Sequence, residues 1–356
     1  MTQSVIEKLM TGQPVGCLLT LARGGLWLLS LPYGFIMTLR NLSYDLGLKR
    51  VHRVEVPVVA VGNLTTGGTG KTPIVAMLVQ QLQQLGHRPG IVSRGYHADE
   101  TGENDEKRVL RLMCPDVPHE QNPDRVAAAR QLIHEHNVTV IVLDDAFQHR
   151  RIHRDLNIAL IDATNPFGFG HLLPRGLLRE SKKGIRRADI VLITRADAEY
   201  PQNFGEIDNL ATTQKPDLAS AIHRVSFKPT EVMTADGKTS ALASIHGTRV
   251  FAMTAIGNPQ AFLEMCREKL GAKIAASKLF PDHHHFTETE LESVQREAAE
   301  TQCSVILTTL KDLVKIPSHF TNINAVLIET VFEGDDGEDA VLAELKKLPL
   351  PRATPQ

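Results

Sequence analysis

Between Val61 and Pro73 the chain reads Val61-Gly62-Asn63-Leu64-Thr65-Thr66-Gly67-Gly68-Thr69-Gly70-Lys71-Thr72-Pro73. Glycines followed by a lysine and a hydroxyl are suited to holding phosphate. Backbone N–H groups turn inward around the oxygens, the lysine reaches the β- and γ-phosphates, and the threonine hydroxyl can ligate Mg²⁺. The segment predicts a nucleoside triphosphate site made of Thr65, Thr66, Gly67, Gly68, Thr69, Gly70, Lys71 and Thr72. The standard pattern opens with glycine where this chain has Thr65, and the glycines here sit closer to the lysine. What supports the reading is context: the apolar run Val58-Val59-Ala60-Val61 precedes the loop and a helix-like segment follows it.

Leu143-Asp144-Asp145 places two carboxylates just past a hydrophobic strand, where open α/β sheets bind ligands and where phosphate-loop proteins hold Mg²⁺. Either Asp144 or Asp145 suits the metal. Downstream, Arg150, Arg151, Arg154, Arg175, Arg179, Lys182, Lys183, Arg186 and Arg187 concentrate positive charge, with Glu180 an isolated acid among the last six. Such a run is either a solvated face or a set of forks for phosphate oxygens. His283-His284-His285 invites a metal reading, but three consecutive side chains diverge, so one histidine moving a proton or orienting a carboxylate fits better.

These groups need a scaffold, and the pattern supplies one. Apolar strand-like runs at Gly90–Ser93, Val138–Leu143, Asn157–Asp162 and Asp189–Thr194 alternate with helix-like segments at Ile74–Leu85 and Val126–His136. Continuous apolar strands between helices predict a doubly wound, mainly parallel α/β sheet of the phosphate-loop NTPase type. Around Ala235-Asp236-Gly237 the pattern becomes that of an antiparallel hairpin, after which a second, smaller α/β set begins. The expected organisation is an apolar, amphipathic membrane-associating segment at 1–50, a phosphate-loop kinase core at 51–220 and a hairpin-like linker at 221–245. A smaller α/β domain at 246–345 and a proline-rich tail at 346–356 complete it.

At 356 residues two domains are expected, and a net charge of −2 gives no global field for nucleic acid. Four scattered cysteines without a Cys-x-x-Cys pair fit a reducing cytosol. Residues 14–37 are strongly apolar but interrupted by Arg23, Gly24, Gly25 and Pro32, short of the about 20 continuous apolar residues of a spanning helix. Two readings stand for them: an interfacial helix with Trp27 and Tyr33 at headgroup depth, or a helix packed on the protein body.

Several separated motifs together resemble one family, the tetraacyldisaccharide 4'-kinases. They are Gly62-Asn63 to Thr72-Pro73, Ser93-Arg94-Gly95-Tyr96, Asp144-Asp145-Ala146-Phe147-Gln148-His149, Leu173-Pro174 to Arg179-Glu180, Gly257-Asn258-Pro259, Phe280-Pro281-Asp282-His283-His284 and Thr308-Thr309-Leu310-Lys311-Asp312. The resemblance spans about Val56 to Lys315. It implies γ-phosphate transfer from ATP, with Mg²⁺, to the 4'-hydroxyl of a lipid disaccharide 1-phosphate at the cytoplasmic face of the bacterial inner membrane. It implies Asp105 as general base, in Asn104-Asp105-Glu106-Lys107 where the family has Gly-Asp-Glu-Pro, paired with His283, while Lys71 handles the γ-phosphate. Thr72, Asp144, Asp145 and Glu180 are then the expected metal groups, and Arg94, Arg125 and Arg179 the expected hands for substrate phosphates. Leu310 departs from the family's usual glutamate. A membrane surface becomes the expected partner, the N-terminal segment reads as an interfacial anchor, and neither nucleic acid nor an obligate protein partner is required.

A different class competes: a regulatory phosphate-loop NTPase switch acting through a protein partner, which the double glycine also suits. Such a switch has no need of an acidic base with a histidine. A nucleic-acid motor lacks both the basic charge and the stacking aromatics of such channels.

Overall fold

The computed structural model describes residues 9–11, 16–95, 103–197, 201–334 and 336–350. Tyr96, residues 1–8 and residues 351–356 of the tail lie outside the described residues. The chain forms two compact units. The first comprises Met1–Arg94, Val117–Ser226 and Phe332–Gln356, and the second Gly95–Asp116 and Phe227–Val331.

In the first unit the strands β1 (Val58–Asn63), β2 (Pro89–Ser93), β3 (His119–Gln121), β4 (Val140–Leu143), β5 (Leu156–Asp162), β6 (Ile190–Thr194) and the start of β7 (Ile222–Thr234) lie in the order β3-β2-β4-β1-β5-β6-β7. They pair in parallel, as the unbroken apolar runs predict. β1 is fully buried and lies between β4 and β5, with Ala60 opposite Leu143 on one side and Asn157 on the other. Two clusters of buried side chains form this unit's core, one around Val58, Ala60, Val126, Leu132 and Ile141, the other around Phe147, Ile161, Ile193, Phe204 and Ile207. Each of the larger of these side chains contributes about 1.5–3 kcal/mol on leaving water. The parallel register brings the loops that follow β1, β4, β5 and β6 to the carboxyl end of the sheet, where ligands of such sheets bind.

Helix α1 (Cys17–Asp45) belongs to the same unit and runs through Gly24, Gly25 and Pro32 without a break. Its polar side docks. Tyr33 Oη donates to the Arg179 carbonyl at 2.8 Å, Asn41 Nδ2 to Glu180 Oε2 at 2.9 Å, and Arg150 and Arg186 each reach Asp45 at 2.7 Å. Gly34 permits the approach, since a Cβ there would meet Leu172 Cδ1 at 2.7 Å. The opposite side, with Leu21, Leu28, Leu31, Phe35, Leu39 and Leu42 at helical spacing, is exposed. Packing on the protein body thus describes one face, and it takes Tyr33, which the interfacial reading puts at headgroup depth; the other face does not pack. No helix among the described residues is long and apolar enough to cross a membrane.

The second unit is built on β9 (Arg249–Thr254), β10 (Lys273–Leu279), β11 (Val305–Thr309) and β12 (Ile323–Glu333), parallel in the order β10-β9-β11-β12. The rest of β7 turns at Gly237 into antiparallel β8 (Thr239–Ala241), the hairpin expected there. Helix α2 (Asp105–Met113) packs on the short helix α3 (Leu310–Leu313) within this unit. The units therefore differ from contiguous segments: 95–116 leaves the phosphate-loop unit, while 332–350, with helix α4 (Gly337–Lys346), joins it.

Candidate active site

The phosphate loop leaves β1 at Asn63, a fully buried residue that ties the loop to its own lysine. Asn63 Nδ2 donates to the Thr65 carbonyl at 2.8 Å, and its Oδ1 accepts from Lys71 Nζ at 3.3 Å. Gly67 at φ +104° has open space where a Cβ would lie, and Gly70 at φ +79° turns the chain into the helix Lys71–Gln84. No side chain caps that helix, leaving its first N–H groups and positive dipole end for an anion. The backbone is held from outside, by Thr66 N–H to the Leu177 carbonyl at 2.7 Å, Thr194 Oγ1 to the Thr69 carbonyl at 2.9 Å and Arg195 Nη2 to the Gly68 carbonyl at 2.8 Å. Thr69 Oγ1 is buried without a hydrogen-bond partner, an orphan that a phosphate oxygen would satisfy. Thr72 follows in the helix's first turn, half-buried.

Beside it, β4 delivers the two carboxylates. Asp144 is buried, its N–H bonded to the Val92 carbonyl. Asp145 adopts φ +49°, uncommon for a residue with a side chain, and faces two cations. Lys71 Nζ lies 3.5 Å from Oδ1, and Arg179 Nη1 donates to both oxygens at 2.8 and 2.9 Å. Burial works to raise the Asp145 carboxyl, but Lys71 and Arg179 overcome it and hold it down at about 2. Arg125 is buried, with Nη1 on the Asn122 carbonyl at 3.1 Å and Nε without a partner. Burial lowers its pKa, while the carboxylates of Asp145 and Asp144 oppose that and Arg94 adds to it. Arg94 itself is exposed. The first unit thus gathers Lys71, Asp144, Asp145, Arg94, Arg125 and Arg179 into one charged neighbourhood.

Glu180 has a different setting from the one expected of a metal group. It is 1% exposed, and both its carboxylate oxygens are engaged: Oε1 by Arg187 at 2.7 Å and Gln148 at 3.0 Å, Oε2 by Asn41 of α1. Gln148 Nε2 also donates to the Asn63 carbonyl at 2.8 Å, so Glu180 buttresses the root of the phosphate loop. Sequence spacing gives no sign of Asn41 and Gln148, because their partners lie 139 and 32 residues away.

In the second unit Asp105 occupies the first position of α2, capped by Asn104, whose Oδ1 accepts from Lys107 N–H at 3.0 Å. Asn104 and the Lys107 N–H thus start this helix. Asp105 is buried, and its Oδ2 lies 3.2 Å from Nδ1 of His283. His283 is held at φ +60°, with its N–H 3.2 Å from the Ala255 carbonyl. Its Nε2 faces Lys311 Nζ at 3.1 Å and Glu106 Oε1 at 3.8 Å. Burial would raise the Asp105 carboxyl, but the His283 hydrogen bond and the charges of Lys315 and Lys311 bring it below the usual range. The bond to Asp105 raises His283, against burial and Lys311. His284 turns to Glu290 at 3.1 Å and stacks on Phe280, and His285 is exposed, so the three histidines diverge. Leu310 packs against the unit's apolar cluster of Phe251, Leu291 and Phe320.

An open parallel sheet with a glycine loop, a lysine at the helix start and paired aspartates at the neighbouring strand end defines a phosphate-loop nucleotide-binding protein. Its sequence is narrower than that class. The family model described as Tetraacyldisaccharide-1-P 4'-kinase matches residues 22–346. The tetraacyldisaccharide 4'-kinase of Anaeromyxobacter dehalogenans (strain 2CP-C) is 37% identical over 332 residues, covering 88% of this chain and 86% of its own. That of Anaeromyxobacter sp. (strain K) is 35% identical and covers 99% of both chains. Among solved structures, LpxK from Aquifex aeolicus, an "apo" form in complex with ATP, superposes with a TM-score of 0.72 at 28% identity, over 92% of this chain and 99% of that one. The chain belongs to the tetraacyldisaccharide 4'-kinase family.

Proposed function

We propose that the protein transfers the γ-phosphate of ATP to the 4'-hydroxyl of a tetraacyldisaccharide 1-phosphate in lipid A biosynthesis, as a peripheral enzyme on the cytoplasmic face of the bacterial inner membrane. The carrying observation is the buried Asp105 carboxylate bonded to His283. A nucleotide switch needs only the phosphate loop, whereas a kinase must also take a proton from its acceptor.

The 4'-oxygen attacks the γ-phosphorus, the bond to the β–γ bridging oxygen breaks and ADP leaves, while the hydroxyl proton passes to Asp105. His283 Nδ1 holds that carboxylate in place. Lys71 and the uncapped helix start neutralise phosphate charge, and positioning carries most of the acceleration, because phosphoryl transfer asks little covalent chemistry of the protein. Thr72, Asp144 and Asp145 are the oxygen donors that would hold Mg²⁺, whose part is to neutralise charge on the phosphates. Arg94, Arg125 and Arg179 are the forks for substrate phosphates. The exposed apolar side of α1 supports a bilayer surface as the protein's partner. No nucleic acid or obligate protein partner enters the scheme.

The test is transfer of label from [γ-³²P]ATP to tetraacyldisaccharide 1-phosphate in detergent micelles with Mg²⁺. Label reaches the lipid with wild type and is lost with Lys71→Ala, and Asp105→Ala keeps nucleotide binding while transfer falls about 10²-fold or more. Free phosphate without labelled lipid would instead favour the switch.

A further inference from the structure

Lysine is almost never fully buried unless paired, yet the side chain of Lys315 is 2% exposed. Its ammonium donates to one carbonyl and is ion-paired with two carboxylates. Nζ lies 3.0 Å from Asp312 Oδ1, 3.0 Å from the His284 carbonyl and 3.6 Å from Asp105 Oδ2, with the Phe286 ring centroid at 5.1 Å. Asp312 is itself pinned, fully buried, with Oδ2 accepting from Thr254 Oγ1 at 2.8 Å, Ala255 N–H at 3.0 Å and Thr309 Oγ1 at 2.8 Å. A simple structural staple needs Asp312 and the His284 carbonyl alone. The third direction is spent on Asp105, at the start of a different helix.

We infer that Lys315 is a positioning residue for the Asp105 base: a buried cation, fixed by Asp312 and the His284 carbonyl, that holds the carboxylate in register with His283 and keeps it ionised. This rests on the base role proposed above for Asp105. The charged groups acting on Asp105 are His283 from the segment after β10, Lys311 of α3 and Lys315 just after it, while Glu106 and Asp282 sit against His283 and Lys311, and Asp312 against Lys315. Lys311 faces His283, Glu106 and Asp282 and is 25% exposed, so water screens it. Lys315 is the dry cation of the set. An opposite charge at such range shifts a carboxyl by about 1–3 pH units.

The experiment is the pH profile of kcat/KM for lipid phosphorylation in wild type, Lys315→Met and Lys315→Arg, with folding followed by thermal denaturation. Losing the charge moves the acid limb to higher pH by about one unit, and Arg moves it back. The KM for ATP stays at its wild-type value, since the phosphate loop is untouched. If the Met variant does not fold, Lys315→Gln, which retains hydrogen bonding without charge, takes its place. A folded neutral variant whose activity falls equally at every pH, with the acid limb on that of wild type, overturns the inference and leaves Lys315 a staple. Asp105→Ala separates the two claims: unimpaired transfer in that variant removes the base reading itself. Lost transfer there, with an unmoved limb in the Lys315 variants, removes only this one.

Discussion

Replacing both Leu28 and Phe35 by alanine should release the protein from membranes while leaving its chemistry intact. The two sit seven residues apart on the exposed side of α1, at 63% and 64% exposure. Full burial of such side chains is worth about 1.5–3 kcal/mol each, so the part still open to water is worth about 1–2 kcal/mol each, or about 2–4 kcal/mol for the pair. At 1.4 kcal/mol per factor of ten, partition onto vesicles should weaken by roughly 30- to 700-fold. Alanine is the strongest helix former, so helix content should hold, and neither residue belongs to the docked face that carries Tyr33 and Asn41. The assay is co-sedimentation with vesicles of anionic and zwitterionic lipid, alongside phosphorylation of an acceptor in detergent micelles. Vesicle binding within twofold of wild type would refute the reasoning, because the exposed stripe would then not be the surface that meets the bilayer.

Two further predictions concern buried charge. Glu180→Ala leaves Arg187 without its carboxylate in a pair 12% and 1% exposed, and breaking such a pair costs roughly 3–5 kcal/mol. Denaturant unfolding should show the loss with or without Mg²⁺ and ATP; a loss confined to their presence would return Glu180 to the metal. The Asp105–His283 pair sets a pH window. His283 is raised in the fold, so its contribution is complete below the ordinary histidine value of about 6.5 and fades as pH climbs through the higher folded value. Asp105 is lowered, so its contribution is present above about 3.9 and fades only as pH falls through the lower folded value. Melting temperatures of wild type and His283→Gln should therefore differ most between about pH 4 and 6.5 and converge on the alkaline side; a difference that grows with pH would contradict the assignment.

Much of this was legible wherever function rests on local pattern. The loop from Thr65 to Thr72 lies between strand and helix as its spacing predicts, and the runs at 138–143, 157–162 and 189–194 became the buried parallel strands β4, β5 and β6. The turn at Ala235-Asp236-Gly237 became the β7–β8 hairpin. What stayed hidden was long-range. Residues 95–116 read as part of the phosphate-loop segment because they lie between two of its strands, yet α2 finds its packing partner in α3, about 200 residues on. Gly24, Gly25 and Pro32 looked like interruptions, but a glycine costs a helix about 1 kcal/mol and a proline about 3 kcal/mol, which docking through Tyr33, Asn41 and Asp45 can offset. Glu180 looked isolated because its donors come from α1, from the turn after β4 and from the 3₁₀ segment ending at Arg187.

The electrostatics of Asp105 present a tension that bears on how the reaction runs. A carboxylate surrounded by His283, Lys311 and Lys315 is always ionised near neutral pH, and for the same reason it is a feeble base. For a reaction needing early proton removal that would be a poor arrangement. Phosphoryl transfer passes through a loose transition state in which the bond to the incoming oxygen is little formed, so the hydroxyl acidifies only late, as it bonds to phosphorus. What the acceptor then requires is an oxygen fixed in direction and never occupied by another proton. A buried carboxylate with one oxygen on His283 and an ammonium behind it meets that requirement. Basicity is the property such a site can give up.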